Sequence, residues 1–200
     1  SLIGQVNKEM EGYYLNQVIP PVLSFIEHLT NWYIRRSRRR FWRSVDEEAG
    51  RLDKASAYAT LYETLVTFAK VLAPILPFLS ESIYQQLVVD MDMAEPGKDS
   101  VHLCDYPLVD DSRIDLDLER QVDISRTAVS LGRALREKHR LKIRQPLSTV
   151  TLVNHNPDIR AALQHQAALI AEELNVKSVR IESTDAELTN ITFKANFKTL

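Results

Sequence analysis

Apolar residues recur mostly at intervals of three and four from Leu2 to about His139, then alternate after Pro146, so the chain reads as a helical bundle followed by a small α/β appendage. Leu2, Val6, Met10 and Tyr13 or Tyr14 outline a first helix. Val18, Val22, Phe25 or Ile26, Leu29 and Trp32 or Tyr33 outline a second, with Pro20 and Pro21 marking its start or a kink. Asp53 is placed to cap a third helix carrying Tyr58, Leu61 or Tyr62, Leu65, Phe68 and Leu72. Pro74 and Pro77 interrupt that pattern before Phe78, Ile83, Tyr84 and Leu87 resume it. Residues 90–107, with Pro96-Gly97 among them, form a connector. Ile114, Leu118, Val122, Ser125, Val129, Gly132 and Leu135 then mark a last long helix. Four or five helices with short links imply a bundle.

Past Pro146 the pattern predicts a strand over Thr149 to Val153, one amphipathic helix over Asp158 to Leu174, and further strands over Val176 to Glu182 and Thr189 to Lys198. The expected fold class is mainly α, with a helical-bundle domain at 1–141 and a small, truncated α/β subdomain at 142–200. The lack of an initiator methionine points the same way, towards a piece excised from a longer chain.

Composition narrows the function classes. A hydrophobic content of 44% with 26% charged residues describes a folded chain able to bury a core. Cys104 is the only cysteine, which excludes an internal disulfide and a cysteine-rich zinc site and favours a reducing, cytoplasmic setting. No apolar run approaches a membrane span, and Ser-Leu-Ile-Gly-Gln does not open a signal peptide. A net charge of -2 argues against a general nucleic-acid binder, but the charge is unevenly placed. Residues 31–43 carry six arginines and no acid, and residues 133–144 carry five net positive charges, so two basic segments sit on an acidic remainder. That distribution favours local contact with a polyanion.

The first basic segment, Asn31-Trp-Tyr-Ile-Arg-Arg-Ser-Arg-Arg-Arg-Phe-Trp42, sets arginines between two aromatic pairs. At about 100° per residue its side chains cannot share one face, so a helix here is expected to carry cations and rings on nearly every side. Nucleic acid satisfies both kinds of group, since phosphates neutralise guanidiniums while exposed bases stack on rings. Trp32 with Arg36, and Arg38 with Trp42, are four apart and spaced for intrahelical cation–π pairs. Roughly half of the six arginines are expected to face a polyanion, the others serving packing or clasping a neighbouring domain through its carboxylates. The five histidines lack metal-ligand spacing, and no phosphate loop or nucleophile elbow is present. Glu47-Glu48 and Glu172-Glu173 read as solvated charges, and Cys104 as a small, half-buried apolar residue.

Residues 31–42 resemble, nearly letter for letter, a segment of the anticodon-binding region of the isoleucyl-tRNA synthetase family, which belongs to the class I aminoacyl-tRNA synthetases. The resemblance continues through Asp53-Lys54, Ala57-Tyr58, Thr60-Leu61-Tyr62, Leu72-Ala-Pro-Ile-Leu-Pro-Phe78, Glu81 and Tyr84. It takes in Ser100-Val-His-Leu103, Asp105-Tyr-Pro107, Leu131 to Lys138, Leu141-Lys-Ile-Arg-Gln-Pro-Leu147 and Glu172 to Lys177. The Ala-Pro-Ile-Leu-Pro-Phe segment marks only the superfamily, whereas the arginine string and Lys-Ile-Arg-Gln-Pro-Leu are more particular to the isoleucine enzyme. The resemblance implies recognition of the anticodon stem and loop of isoleucine tRNA. It also implies that attachment of isoleucine, with ATP and magnesium, belongs to a catalytic domain whose two signatures, HIGH and KMSKS, do not occur in these 200 residues. No cofactor, metal or catalytic residue is expected in the chain itself. The tRNA-binding candidates are Arg35, Arg36, Arg39 and Arg40 for phosphates, Trp32 and Trp42 as base platforms or core anchors, and Lys142 and Arg144 as a second patch. Two alternatives remain open: a valyl-type relative, and a helical protein-interaction module whose basic patch binds acidic protein surfaces.

Overall fold

The computed structural model describes residues 1–43 and 48–184, and within them the three- and four-residue apolar spacing is realised as eight α-helices, with two strands after Pro146. The chain divides into two compact units, Ser1–Ile114 and Asp115–Leu200.

In the first unit α1 (Leu2–Glu11) packs on α2 (Leu15–His28), and the chain stays helical through a π-helical stretch, Leu29–Ile34, into α3 (Arg35–Trp42). Further helices are α4 (Glu48–Leu72) and α5 (Pro77–Tyr84), with a second π-helical stretch at Gln85–Val89. Val6, Val18, Val22, Phe68, Val71 and Leu72 close one core cluster, and Ala69, Ala73, Tyr84, Val88 and Val101 close another. Pro20 and Pro21 lie inside α2 and do not start it. The ladder bonds they forgo would end on the carbonyls of Asn16 and Gln17, at exposed positions, which limits the cost. Asp53 is likewise no cap. It lies within α4, which is already helical at Glu48.

The connector after α5 is strapped to that helix. Tyr84 donates its hydroxyl to the Lys98 carbonyl at 3.0 Å, and burial, then the Cys104 thiol, push its pKa up to about 12. Glu81 Oε2 accepts from Ser100 Oγ and the Val101 N–H, each at 2.9 Å. Burial alone would raise the pKa of Glu81, but the bonds from Gln85, Val101 and Ser100 outweigh it and hold the carboxyl below the ordinary glutamate value. A depressed folded pKa means the strap is at full strength above about pH 4.5 and is lost as pH falls through the lower folded value. Amide exchange at residues 100–103 is expected to accelerate below pH 4.5, and Glu81→Gln to remove that pH dependence.

The second unit comprises α6 (Leu116–Lys138), β1 (Leu147–Val153), α7 (Pro157–His165), α8 (Ala167–Leu174) and β2 (Val176–Glu182). Asp115 caps α6 by accepting from the Leu118 N–H at 2.9 Å, and Asn156 caps α7 with Pro157 at its first position. The strands pair in parallel from Leu147↔Val176 to Val153↔Glu182, an arrangement that requires the crossover supplied by α7 and α8. The single helix expected over 158–174 breaks at Gln166, a break its apolar spacing does not signal. Asn175, at φ 49° and ψ 56°, ends α8 in the left-handed conformation. On α6 the buried positions are Ser125, Ala128, Val129 and Arg136, so Leu135, expected inward, is exposed. Gly132 belongs to this buried side: a Cβ there would lie 2.6 Å from Leu174, itself fully buried.

The expected domain boundary at 141/142 differs from the division at 114/115. α6 shares the helical period of the preceding elements but packs on α7 and α8, and periodicity does not say which neighbour a buried stripe will meet. The strand expected over Thr189 to Lys198 lies outside the described residues. Among the described residues no helix is long and apolar enough to cross a membrane.

Candidate nucleic-acid interface

The arginine run is sorted by its helix. At about 100° per residue Arg35, Arg38, Arg39 and Trp42 fall on one stripe of α3, and all four are exposed, while Ser37 and Phe41 are buried on the other side. Arg36 and Arg40 are half-buried on the flank, so the expected spread of cations and rings over nearly every side is graded: the buried side holds a ring, Phe41, and no arginine. α3 packs on α4, with the Phe41 ring 5.0 Å from that of Tyr58, and the Tyr33 hydroxyl donates to the Ala57 carbonyl at 3.2 Å. Trp42 is 73% exposed and so lies outside the core, whereas Trp32 is half-buried.

Both expected cation–π pairs form. The Arg36 guanidinium lies 5.4 Å from the Trp32 ring centre, and that of Arg38 lies 5.3 Å from Trp42. The π-helical stretch affects Arg35, whose N–H reaches back to the Thr30 carbonyl while its Nε donates to the Asn31 carbonyl at 2.8 Å. The wide turn thereby lends a backbone acceptor to a side chain and fixes the root of the first guanidinium on the stripe.

Arg40 is tied across to α4. Its Nε donates to Asp53 Oδ1 at 2.9 Å and its Nη2 to the Asp53 carbonyl at 3.2 Å. The side-chain hydrogen bond is the main cause that raises the Arg40 pKa and lowers that of Asp53. With its charge compensated locally, Arg40 serves the α3–α4 pairing first. Asp53→Asn removes one carboxylate beside the stripe and unties Arg40, so affinity for a polyanion is expected to rise about two- to fivefold, measured by RNA titration at fixed salt.

The second basic segment divides in the same way. Lys142 and Arg144 are exposed in the loop between α6 and β1. Arg133, however, pairs with Glu173, which is a buried carboxylate and not the solvated charge expected from its sequence. Arg136, only 6% exposed, donates from Nη1 to the Lys142 and Gln145 carbonyls, both at 3.0 Å. Its Nη2 donates to the carbonyls of Leu174 at 2.7 Å and Asn175 at 3.2 Å. Asn175 Nδ2 adds a bond to the Ile143 carbonyl at 3.0 Å. The backbone that presents Lys142 and Arg144 is therefore held from below by Arg136 and Asn175. The structure gathers Trp32, Arg35, Arg36, Arg39, Arg40 and Trp42 on one helical rod and puts Lys142 and Arg144 in the other unit.

Sequence reasoning missed Arg38 on the stripe and Arg136 beneath the loop. Both carried a signal. Ser37 and Phe41, four apart among the arginines, mark the inward side and so place Arg38 outward. Arg136 stands four residues after Gly132 on the stripe that already holds Ser125 and Val129.

A family model described as the anticodon-binding domain of tRNA ligase matches residues 1–151. Over all 200 residues the chain is 46% identical to isoleucine–tRNA ligases of Chlamydia trachomatis serovar D and Chlamydia muridarum. It is 44% identical to that of Chlamydia pneumoniae. Each match takes in the whole of this chain and 18% of the relative, so the chain spans about one-fifth of the length of these relatives.

Proposed function

Since the chain belongs to the tRNA-ligase anticodon-binding domain family, we propose that it receives the anticodon stem and loop of isoleucine tRNA as one part of a longer isoleucine–tRNA ligase. The observation that carries this reading is the outward stripe of Arg35, Arg38, Arg39 and Trp42 on a helix whose other side is buried. Guanidiniums on stem phosphates set the register of the RNA, and a ring offers a stacking surface to an unstacked loop base, worth about 1–3 kcal/mol for each base so held. Arg36 and Trp32 flank the stripe. Lys142 and Arg144 supply a second phosphate contact from the other unit. Isoleucine attachment, with its ATP and magnesium, falls to the rest of such a ligase, in a cytoplasmic setting. Among the described residues no three His, Cys, Asp or Glu side chains gather as a metal site.

The names of the relatives favour isoleucine over valine as the cognate amino acid. The protein-module alternative separates on salt. For an anticodon arm held through phosphates, the logarithm of affinity is expected to fall linearly with that of salt, by about 0.7–0.9 for each phosphate neutralised. A salt-independent affinity, or one indifferent to tRNA against other RNA hairpins, would remove the proposal.

A further inference from the structure

Helix α2 is more apolar than the core beneath it requires. At about 100° per residue, Phe25, Val18, Val22, Leu15, Ile26, Ile19 and Leu23 follow one another around the helix as a single apolar arc of about 160°. The bundle core takes Phe25, Val18 and Val22. The rest of the arc, Leu15, Ile19, Leu23 and Ile26, stays outside at 38–62% exposure, and no charged side chain occurs between Tyr13 and Ile26. Leu15, Ile19, Leu23 and Ile26 lie side by side, four to three residues apart, and so form one contiguous stripe, not scattered surface residues.

We propose that this stripe is the seat of the remainder of the ligase chain, the four-fifths that the relatives possess beyond the region matched here. The inference rests on the chain being part of such a ligase. Charge chooses between the classes of partner: RNA demands cations, and the cations lie on α3, while residues 13–26 offer none. Size chooses between a tethered and a free partner. Four half-exposed aliphatic side chains present on the order of 400 Å², about half of the ~800 Å² that a stable complex takes from each side. A partner on the same polypeptide needs less, because the tether raises its effective concentration into the millimolar range. Docking through α2 also fixes the direction of α3, which continues the same helical rod, relative to the rest of the enzyme.

The test is site-resolved thiol labelling of the full-length ligase carrying Ile19→Cys, Leu23→Cys or, on the polar side of the same helix, Gln17→Cys, read by peptide mass spectrometry at two protein concentrations without RNA. Labelling at positions 19 and 23 at least tenfold slower than at 17, at both concentrations, is the expected result. Equal rates would overturn the proposal. Protection that grows with concentration would overturn it too, in favour of a second copy of the chain. Hydroxyl-radical footprinting of Leu15 and Leu23 in the unsubstituted ligase reads the same protection if a cysteine variant fails to fold. Because no RNA is present, failure here and failure of anticodon recognition are separate outcomes.

Discussion

Replacing Arg35, Arg38 and Arg39 together by alanine is expected to weaken binding to the isoleucine anticodon arm about a hundredfold at moderate salt and to reduce the slope of log affinity against log salt by about 2–3. The three guanidiniums share the exposed stripe of α3, where one RNA backbone can reach all of them, and each phosphate so neutralised releases a condensed counterion. Alanine is the best helix former and none of the three is buried, so circular dichroism is expected to be unchanged. Arg40→Ala is the control within the same run. Its cation is already bonded to Asp53, and its loss is expected to leave the salt slope nearly as it was. Fluorescence anisotropy at three or more salt concentrations separates the two variants, and equal slopes for both would mean that the stripe does not meet phosphate.

Arg136→Met is expected to destabilise the second unit by about 3 kcal/mol, although the residue is one arginine among several in a basic segment. Four main-chain carbonyls depend on its guanidinium, two in the loop at 142–145 and two at the end of α8. Hydrogen bonds from a charged donor contribute about 1.5–3 kcal/mol, and acceptors left buried without a partner add their own desolvation cost. The two bonds at the end of α8 also place a cation at the negative end of that helix. Lysine is not expected to rescue the loss, since one ammonium cannot span two separate pairs of carbonyls. Urea unfolding followed by circular dichroism measures the stability change. Amide exchange at 141–146 tells whether the loop bearing Lys142 and Arg144 loosens, and a cost below about 1 kcal/mol would refute the role given to Arg136.

The helices were legible because their apolar spacing is regular, and the arginine segment because no solvated helix needs two aromatic pairs around five arginines. What stayed hidden was pairing at a distance. Nothing local to Arg40 announces Asp53, which looks like a helix cap until α4 is seen to begin at Glu48. Glu173 and Arg133, forty residues apart, each read as surface charges until α6 and α8 pack together. The π-helical stretch at Leu29–Ile34 has no marker in residue type, yet it sets the orientation of Arg35. Net charge alone says little, because -2 averages two basic segments with an acidic remainder, and only the placement of charge along the sequence separates them. Site residues chosen as neighbours in sequence, Arg35-Arg36 and Arg39-Arg40, proved to be split between the exposed stripe and its flank.

The most direct measurement is the affinity of this chain for three anticodon arms, read by anisotropy at one moderate salt concentration: that of isoleucine tRNA, the same arm with its anticodon altered, and that of valine tRNA. Recognition of the loop through Trp42 and the adjoining arginines requires the intact isoleucine arm to bind at least tenfold more tightly than either of the others, a margin equal to one stacked or paired base at about 1.4 kcal/mol. Equal affinity for all three would contradict anticodon reading and leave only a surface that binds RNA by charge.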